Sequence, residues 1–378
     1  MTAIITTIFA VLLAGSLVYC VLIMVASRRY LSITPPAPGS CPPISVLKPL
    51  CGQDEGLEEN LRSFLDQDYP LFEILLAVHR ADDPAVEIVE KLKSEFSGRS
   101  EVRIVVTGES PVPNAKAHSL NQLVRQARYE LLIMSDSDVR VTPDFLTRMA
   151  GEFHDPSVGM ITCPYRAVGG RSVWSRLEAL GMNTELLGGV LVARMLEGMN
   201  FALGCTVGVR SSVLSALGGF AYLQDYLAED FVMGRRAAQL GYTVLFSGYV
   251  IEHRIGSQPM TQSLGHRLRW ARSTRRSRPA GYWGQIFTYP LPWALLLWLI
   301  HPGTWPLVLL TLALRAGVAW ATASRILRDP TASRQFWLLP FQDLLGFLVW
   351  MGGFLGSTIV WRERKCTLLP DGRLRVNS

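Results

Sequence analysis

The chain has 378 residues, 49% of them hydrophobic, with a formal net charge of +6 and a mean hydropathy of +0.23. That length holds one full-sized domain plus several membrane segments, and the modest charge comes without a helix-turn-helix, zinc module or basic-aromatic pattern, so nucleic acid is not an expected partner. Six cysteines (Cys20, Cys41, Cys51, Cys163, Cys205 and Cys366) show neither a C-x-x-C pair nor zinc-finger spacing with histidine, and free thiols in a reducing compartment account for them most simply.

Ala3 to Ala26 is one uncharged apolar stretch, long enough at about 1.5 Å per residue to cross a hydrocarbon core with some tilt. No positive charge precedes it, as a secretory signal would require, and Arg28-Arg29 follow it. Residues 1–29 therefore predict an uncleaved transmembrane anchor, with the residues after it in the cytoplasm. Residues 30–43 carry Thr34-Pro35-Pro36-Ala37-Pro38-Gly39 and Pro42-Pro43, a stiff tether that cannot be helical.

From Ile44 the pattern alternates. Ile44 to Leu47 predicts a strand and Gly56 to Gln67 a helix, with Leu57, Leu61, Phe64 and Leu65 on one face. Phe72 to Val78 (strand), Pro84 to Phe96 (helix), Val102 to Val106 (strand), Ala115 to Ala127 (helix) and Leu131 to Met134 (strand) continue it. Such alternation implies an α/β fold around an open, mainly parallel sheet. Ligands bind beyond the carboxyl ends of the strands in these sheets, and Lys48, His79 to Asp83, Gly108 and Asp136 all fall there. The last strand empties into Asp136-Ser137-Asp138. Two carboxylates this close repel unless a cation neutralises them, and Mg²⁺ or Mn²⁺ suits such oxygen ligands together with substrate phosphates.

Trp174 to Val209 is apolar but broken by Arg176, Glu178, Glu185, Arg194 and Glu197, which predicts helices lying against lipid or packed on the sheet. Ala228-Glu229-Asp230 opens a helix from Phe231 to Leu240, and Tyr242 to Phe246 is a strand. The arginine-rich stretch His266 to Arg278 fits a basic interfacial helix bound to anionic headgroups. Ile286 to Ile300, Trp305 to Ala321 and Phe336 to Trp361 are membrane segments, in which Arg315 and Asp343 either snorkel or are buried in the bundle. Residues 281–361 thus form a C-terminal membrane region and 362–378 a basic tail.

The order Asp83, Asp136, Asp230 and His266-Arg267-Leu268-Arg269-Trp270 resembles the D, D, D, (Q/R)xxRW signature of membrane-bound glycosyltransferases of GT-A (Rossmann-like) fold. Ser45-Val46-Leu47-Lys48-Pro49-Leu50-Cys51-Gly52, Asn60-Leu61, Asp68-Tyr69-Pro70, Asp82-Asp83-Pro84-Ala85, Tyr226-Leu227-Ala228-Glu229-Asp230 and Trp361-Arg362 are similar to the ceramide glucosyltransferase family. Two departures stand out: His266 replaces the family's Gln or Arg, and Asp138 completes an Asp-x-Asp pair that the eukaryotic enzymes need not have.

The resemblance implies a cytosolic catalytic domain over residues 44–280 that moves glucose from UDP-glucose to the primary hydroxyl of ceramide with inversion. Transfer of N-acetylglucosamine to a hopanoid polyol, or an inactive lipid- or nucleotide-sugar-binding scaffold, are the competing readings. It implies Asp83 beside the uridine and ribose, although Asp83 equally suits an N-cap before Pro84. Lys48, Lys116 and Asp136 join it at the donor, Asp136 and Asp138 hold the metal, and Asp230 is the general base, although first-turn helix placement suits that carboxylate as well. Arg269 meets the departing diphosphate, with Trp270 and His266 completing the catalytic set. The expected partners are UDP-glucose, a ceramide-like lipid and membrane lipids, at a bacterial inner membrane.

Overall fold

The computed structural model describes residues 2–33, 41–98, 100–361 and 364–377, and the side chain of every one of these except Trp361. The Thr34-to-Gly39 tether and Arg362 lie outside the described residues. The chain divides into two compact units, Met1–Ile33 with Gly169–Gly198 and Ser257–Glu363, and Thr34–Val168 with Met199–Gly256 and Arg364–Ser378.

The second unit is built on a seven-stranded sheet. Its strands run in the order Glu101–Val106, Phe72–Val78, Ile44–Pro49, Leu131–Ser135, Thr206–Arg210, Val158–Thr162, Thr243–Phe246. The first four are mutually parallel, and Ile44 pairs with Phe72 on one side and Leu131 on the other. Because Ile44–Pro49, Phe72–Val78 and Leu131–Ser135 are buried along their whole length, they read as apolar runs rather than alternating ones. Their common register brings the turns after Pro49, Val78 and Ser135 to one edge. Leu47, Leu75, Leu120, Met134, Val207 and Met233 belong to the core that joins the sheet to its helices.

Thr206–Arg210 corrects the sequence expectation, which placed this segment in a helical tract. It is a strand antiparallel to both neighbours, with Met134 opposite Val207 and Ile161 opposite Gly208. Paired on both edges and nearly uniformly buried, it is too short, beside the longer apolar tract before it, for its two alternating valines to mark it as a strand. A second sheet orders Val139–Arg140, Ile251–Gly256 and Tyr165–Gly169 directly after the Asp138 turn. The basic tail contains a hairpin, Arg364–Leu368 with Leu374–Val376, turned at Gly372 in the left-handed region at φ 85°.

The first unit is helical. Among the described residues three helices, Thr2–Leu31, Pro302–Ile326 and Ala332–Gly353, are long and apolar enough to cross a membrane, and Pro290–Ile300 is a shorter apolar helix. Leu13 packs with Trp293, Ala294 and Leu297. Arg315 and Asp343 do not snorkel: Arg315 Nε lies 2.8 and 3.0 Å from the two Asp343 oxygens, and both side chains are buried. Gln342 Nε2, also buried, donates to both oxygens of Glu185 at 3.1 Å. Removing Asp343 takes away the nearer partner and leaves the buried Arg315 to Glu185 at 3.4 Å, so Asp343→Leu is expected to lower the thermal midpoint of detergent-solubilised protein, and the Arg315→Met/Asp343→Leu double variant to recover part of the loss. A double variant less stable than the single one would show that the pair is not the source.

Arg272 and Arg275 near the end of Met260–Ser277, and Arg278 just after it, hydrogen-bond within the protein. Arg272 donates to the carbonyls of Leu355 and Thr358 at 3.1 and 2.6 Å, Arg275 to those of Phe354 and Gly356 at 2.6 and 2.9 Å. Arg278 Nη2 sits 2.7 Å from both Glu197 oxygens. Phe354 is the C-cap of the helix Leu339–Gly353, and a helix C-terminus with unpaired oxygens draws cations.

Candidate active site

The turn Asp136-Ser137-Asp138 is held from several sides. Beneath it, Lys48 is fully buried, donates to the Asp136 carbonyl at 2.7 Å and to Ser135 Oγ at 3.3 Å, and stands 3.7 Å from the centre of the Phe64 ring. Burial pulls the Lys48 ammonium down to about 7, against the opposing pull of the Asp136 and Asp138 carboxylates. Asn60 donates to the Ser137 carbonyl at 3.2 Å, and Asp136 N–H donates to the Cys205 carbonyl at 3.0 Å. The turn is a rigid platform.

Its two carboxylates have different surroundings. Asp136 Oδ1 lies 2.6 Å from Lys116 Nζ, which also reaches the Gly204 carbonyl at 3.2 Å and Glu229 Oε1 at 3.4 Å. Asp138 Oδ2 lies 3.1 Å from His253 Nε2, and because an ionised carboxylate only accepts, that nitrogen carries the hydrogen. Enclosure raises the Asp136 carboxyl, with Lys116 opposing and Asp138 adding. For Asp138 enclosure is outweighed by His253 and Lys48, so its carboxyl falls below the ordinary value. Lys116 goes the other way: burial would lower its ammonium, but Asp136 and Glu229 raise it. It is a fixed cation.

Asp136, Lys116, Gly204, Glu229 and Asp230 line one cleft. Asp230 stands in the first turn of Glu229–Gln239, and burial first, then the neighbouring Glu229, push its carboxyl up to about 7. Glu229 is turned inward instead, accepting from Asn114 Nδ2 at 3.0 Å. Gly204 leaves room for the Asp230 carboxylate, since a Cβ there would lie 2.7 Å from Asp230 Oδ2. Gly204→Ala is therefore expected to displace that carboxylate and lower turnover by about tenfold or more, with thermal stability nearly unchanged. Native turnover in this variant would mean that the position of Asp230 is immaterial.

Asp83 caps the helix Pro84–Glu95, accepting from Ala85 N–H at 2.9 Å, and both its oxygens also lie 3.2 Å from Gly52 N–H. It thereby ties together the turns after the first two strands. His266, Arg269 and Trp270 lie on the helix Met260–Ser277 of the other unit, where the His266 and Trp270 rings meet edge-on at 5.1 Å.

Three contributors escaped the sequence reading. His253 was visible in the alternation Ile251-Glu252-His253-Arg254-Ile255, whose burial follows period two. Gly204 had no signal, because its need is a tertiary contact. The C-terminal hairpin was announced by Asp371-Gly372, a hairpin-turn pair. Its Leu374 N–H donates to the Asp225 carbonyl at 2.6 Å and Arg373 Nε to Tyr226 Oη at 3.3 Å. The Tyr226 carbonyl in turn accepts from Asn114 at 2.7 Å, so the tail braces the loop that leads into Asp230.

A metal ion has two candidate ligands here. Among the described residues no cluster of three or more His, Cys, Asp and Glu side chains is arranged to hold one. Asp138 Oδ1 is buried without a hydrogen-bond partner among the described residues, and one or two carboxylates completed by substrate phosphates is a usual magnesium environment. The donor set fits. All six cysteines are free.

The model of Glycosyl transferase family 21 matches residues 7–374. Ceramide glucosyltransferase 1 of Caenorhabditis elegans is 30% identical over 202 residues, covering 53% of this chain and 43% of the relative. Ceramide glucosyltransferase 3 of the same organism is 26% identical over 235 residues, covering 62% and 50%. The chain thus spans about half the length of these curated relatives. A poly-beta-1,6-N-acetyl-D-glucosamine synthase of Staphylococcus epidermidis is 22% identical over 250 residues, covering 66% of this chain and 58% of the relative. Among solved structures, a mannosyltransferase from Pyrobaculum calidifontis in complex with GDP-Man and Mn2+ aligns over 92% of this chain and 99% of its own, with a TM-score of 0.54 and 20% identity. The fold is that of GT-A-like glycosyltransferases.

Proposed function

The chain belongs to glycosyl transferase family 21, and from that premise we propose that it transfers glucose from UDP-glucose to the primary hydroxyl of ceramide with inversion, giving β-glucosylceramide. The observation that supports this most is the cleft that gathers Asp136, Lys116, Glu229 and Asp230. Donor cleavage leaves a diphosphate, so a cation must meet growing negative charge while a base takes the acceptor proton.

Lys116 supplies a fixed positive charge beside Asp136. Asp136 and Asp138 would hold Mg²⁺ or Mn²⁺, which supplies charge stabilisation at the leaving diphosphate when bound. Lys48 sets the turn from below, a supporting role in place of direct donor contact, and Asp83 holds the loops that face the uridine. Asp230, at a carboxyl value near 7, is suited to accept the hydroxyl proton. From the family signature we carry over Arg269 as the contact to the departing diphosphate, and His266 and Trp270 as its companions.

The weak similarity to an N-acetylglucosamine polymer synthase favours one second reading, N-acetylglucosamine as the sugar, with a hopanoid polyol as acceptor. Purified detergent-solubilised protein should release UDP from UDP-glucose only when ceramide is present. Release from UDP-N-acetylglucosamine with a hopanoid polyol would replace the first reading by the second, and no release from either donor would point to a binding scaffold. We further propose that Arg28-Arg29 keep the donor site on the cytoplasmic side, which protease protection in oriented vesicles tests.

A further inference from the structure

The helix Met260–Ser277, which carries His266, Arg269 and Trp270, has only one buried residue among its 18, Ser263. Ala271 packs, half-buried, against the cluster of Tyr282, Tyr289 and Trp350, and polar contacts add directional restraints on the helix. Glu178, on the helix Val173–Gly181, is 3% exposed, and both its oxygens are spent on this helix. Oε2 accepts from Ser263 Oγ at 2.6 Å, and Oε1 accepts a short hydrogen bond from His266 Nδ1. Ser263, His266 and Trp270 follow one another at i, i+3 and i+7, so they share a face. Farther along, Arg267 donates to Gln342 at 2.5 Å.

A carboxylate enclosed this fully costs free energy unless its partners are well placed. Burial would raise the Glu178 carboxyl, but the His266 and Ser263 hydrogen bonds and the nearby Arg267 charge pull it below the ordinary value. As an ionised acceptor it requires the hydrogen on His266 Nδ1 and so fixes the ring's tautomer and orientation. The Nε2 edge is turned away from Glu178, and the ring meets Trp270 in an edge-to-face arrangement at 5.1 Å.

We propose that Glu178 is a positioning residue for the transfer reaction: its buried carboxylate pins the helix at Ser263 and His266 and so orients the His266–Trp270 pair. The assignment rests on the reading of His266 and Trp270 as part of the catalytic machinery. It also explains how a histidine serves where relatives of this signature carry Gln or Arg, because the second residue needed to orient an imidazole is supplied by a neighbouring helix.

The test is a double-mutant cycle on the full-length detergent-solubilised protein, with UDP release from UDP-glucose in the presence of ceramide as readout. Glu178→Ala is expected to lower kcat by about tenfold or more, with KM for UDP-glucose within about twofold. Glu178→Gln, which still accepts from His266, should recover most of the loss. In a His266→Ala background, Glu178→Ala should cause little additional loss, because coupled residues are not additive. Should Glu178→Ala fail to fold, Glu178→Asp decides: it keeps the charge but withdraws it by one methylene, and a kcat equal to the native one would overturn the assignment. Multiplicative losses in the cycle would overturn it too. Native kcat in His266→Ala would overturn the reading of His266 and the assignment with it, whereas an impaired His266→Ala beside fully active Glu178 variants would overturn the assignment alone.

Discussion

Asp136→Ala is expected to reduce transfer by on the order of 10³-fold and to weaken UDP-glucose binding at the same time. The carboxylate has two roles that fail together. It is the partner of Lys116 at 2.6 Å, and with Asp138 it forms the proposed seat of the divalent ion. Without it, Lys116 is left with Glu229 at 3.4 Å and the Gly204 carbonyl at 3.2 Å, so the ammonium is drawn away from the turn. Chelation separates the two roles. Excess chelator should remove transfer from the native protein while leaving the Lys116 contact intact, and added Mg²⁺ or Mn²⁺ should restore it. Full activity in chelator, with Asp136→Ala still inactive, would leave Asp136 as the anchor of Lys116 and discard the metal. The Asp138→Asn variant refines this, since Asp138 Oδ1 is buried without a hydrogen-bond partner among the described residues. Its effect should be smaller in the chelated protein than in the metal-supplemented one.

The parts of the fold legible in the sequence are those whose burial is uniform along an element. Ile44–Pro49, Phe72–Val78 and Leu131–Ser135 are enclosed throughout, and turn-forming residues bound each of them, so apolar runs translate directly into strands. The same uniformity hid Thr206–Arg210, because it lies inside a longer apolar tract whose earlier portion is helical. Length alone could have separated them. Single residues at strand ends were also legible, since parallel register carries Lys48, Asp83 and Asp136 to one edge. What could not be read were relations across long separations. Arg315 and Asp343 are 28 positions apart and Glu178 and His266 are 88 apart, and no local pattern states that either pair meets. The arginines of Met260–Ser277 show this most plainly. A basic stripe reads as lipid-facing, and no local pattern announces that Arg272 and Arg275 donate to the Thr358 and Phe354 carbonyls.

Asp230→Asn keeps the size and most of the hydrogen bonding of Asp230 but cannot take a proton. Transfer is expected to fall by about 10²-fold or more, while UDP-glucose affinity stays near native, because Lys116 and Asp136 remain paired. This contrasts with Asp136→Ala, where binding and transfer fall together. The pH dependence adds an independent check. Burial and the Glu229 carboxylate push Asp230 up to about 7, and a base must be unprotonated to act. Native transfer should therefore decline as pH falls through about 7, and the residual transfer of Asp230→Asn should lack that limb. Stability follows with a definite sign. The folded-state value lies above the ordinary 3.8, so ionising Asp230 opposes folding, by an amount that grows from about pH 4 and is complete above about pH 7. Asp230→Asn should accordingly raise the thermal midpoint at pH 8 and lose that advantage near pH 4. A variant that is stabilised yet transfers at the native rate would keep the electrostatic description and move the base elsewhere. Glu229 would be the first alternative. Its carboxylate, however, is already spent on Asn114 at 3.0 Å and on Lys116 at 3.4 Å. Asp230, raised by burial and by that same neighbour, is the group left to take the proton.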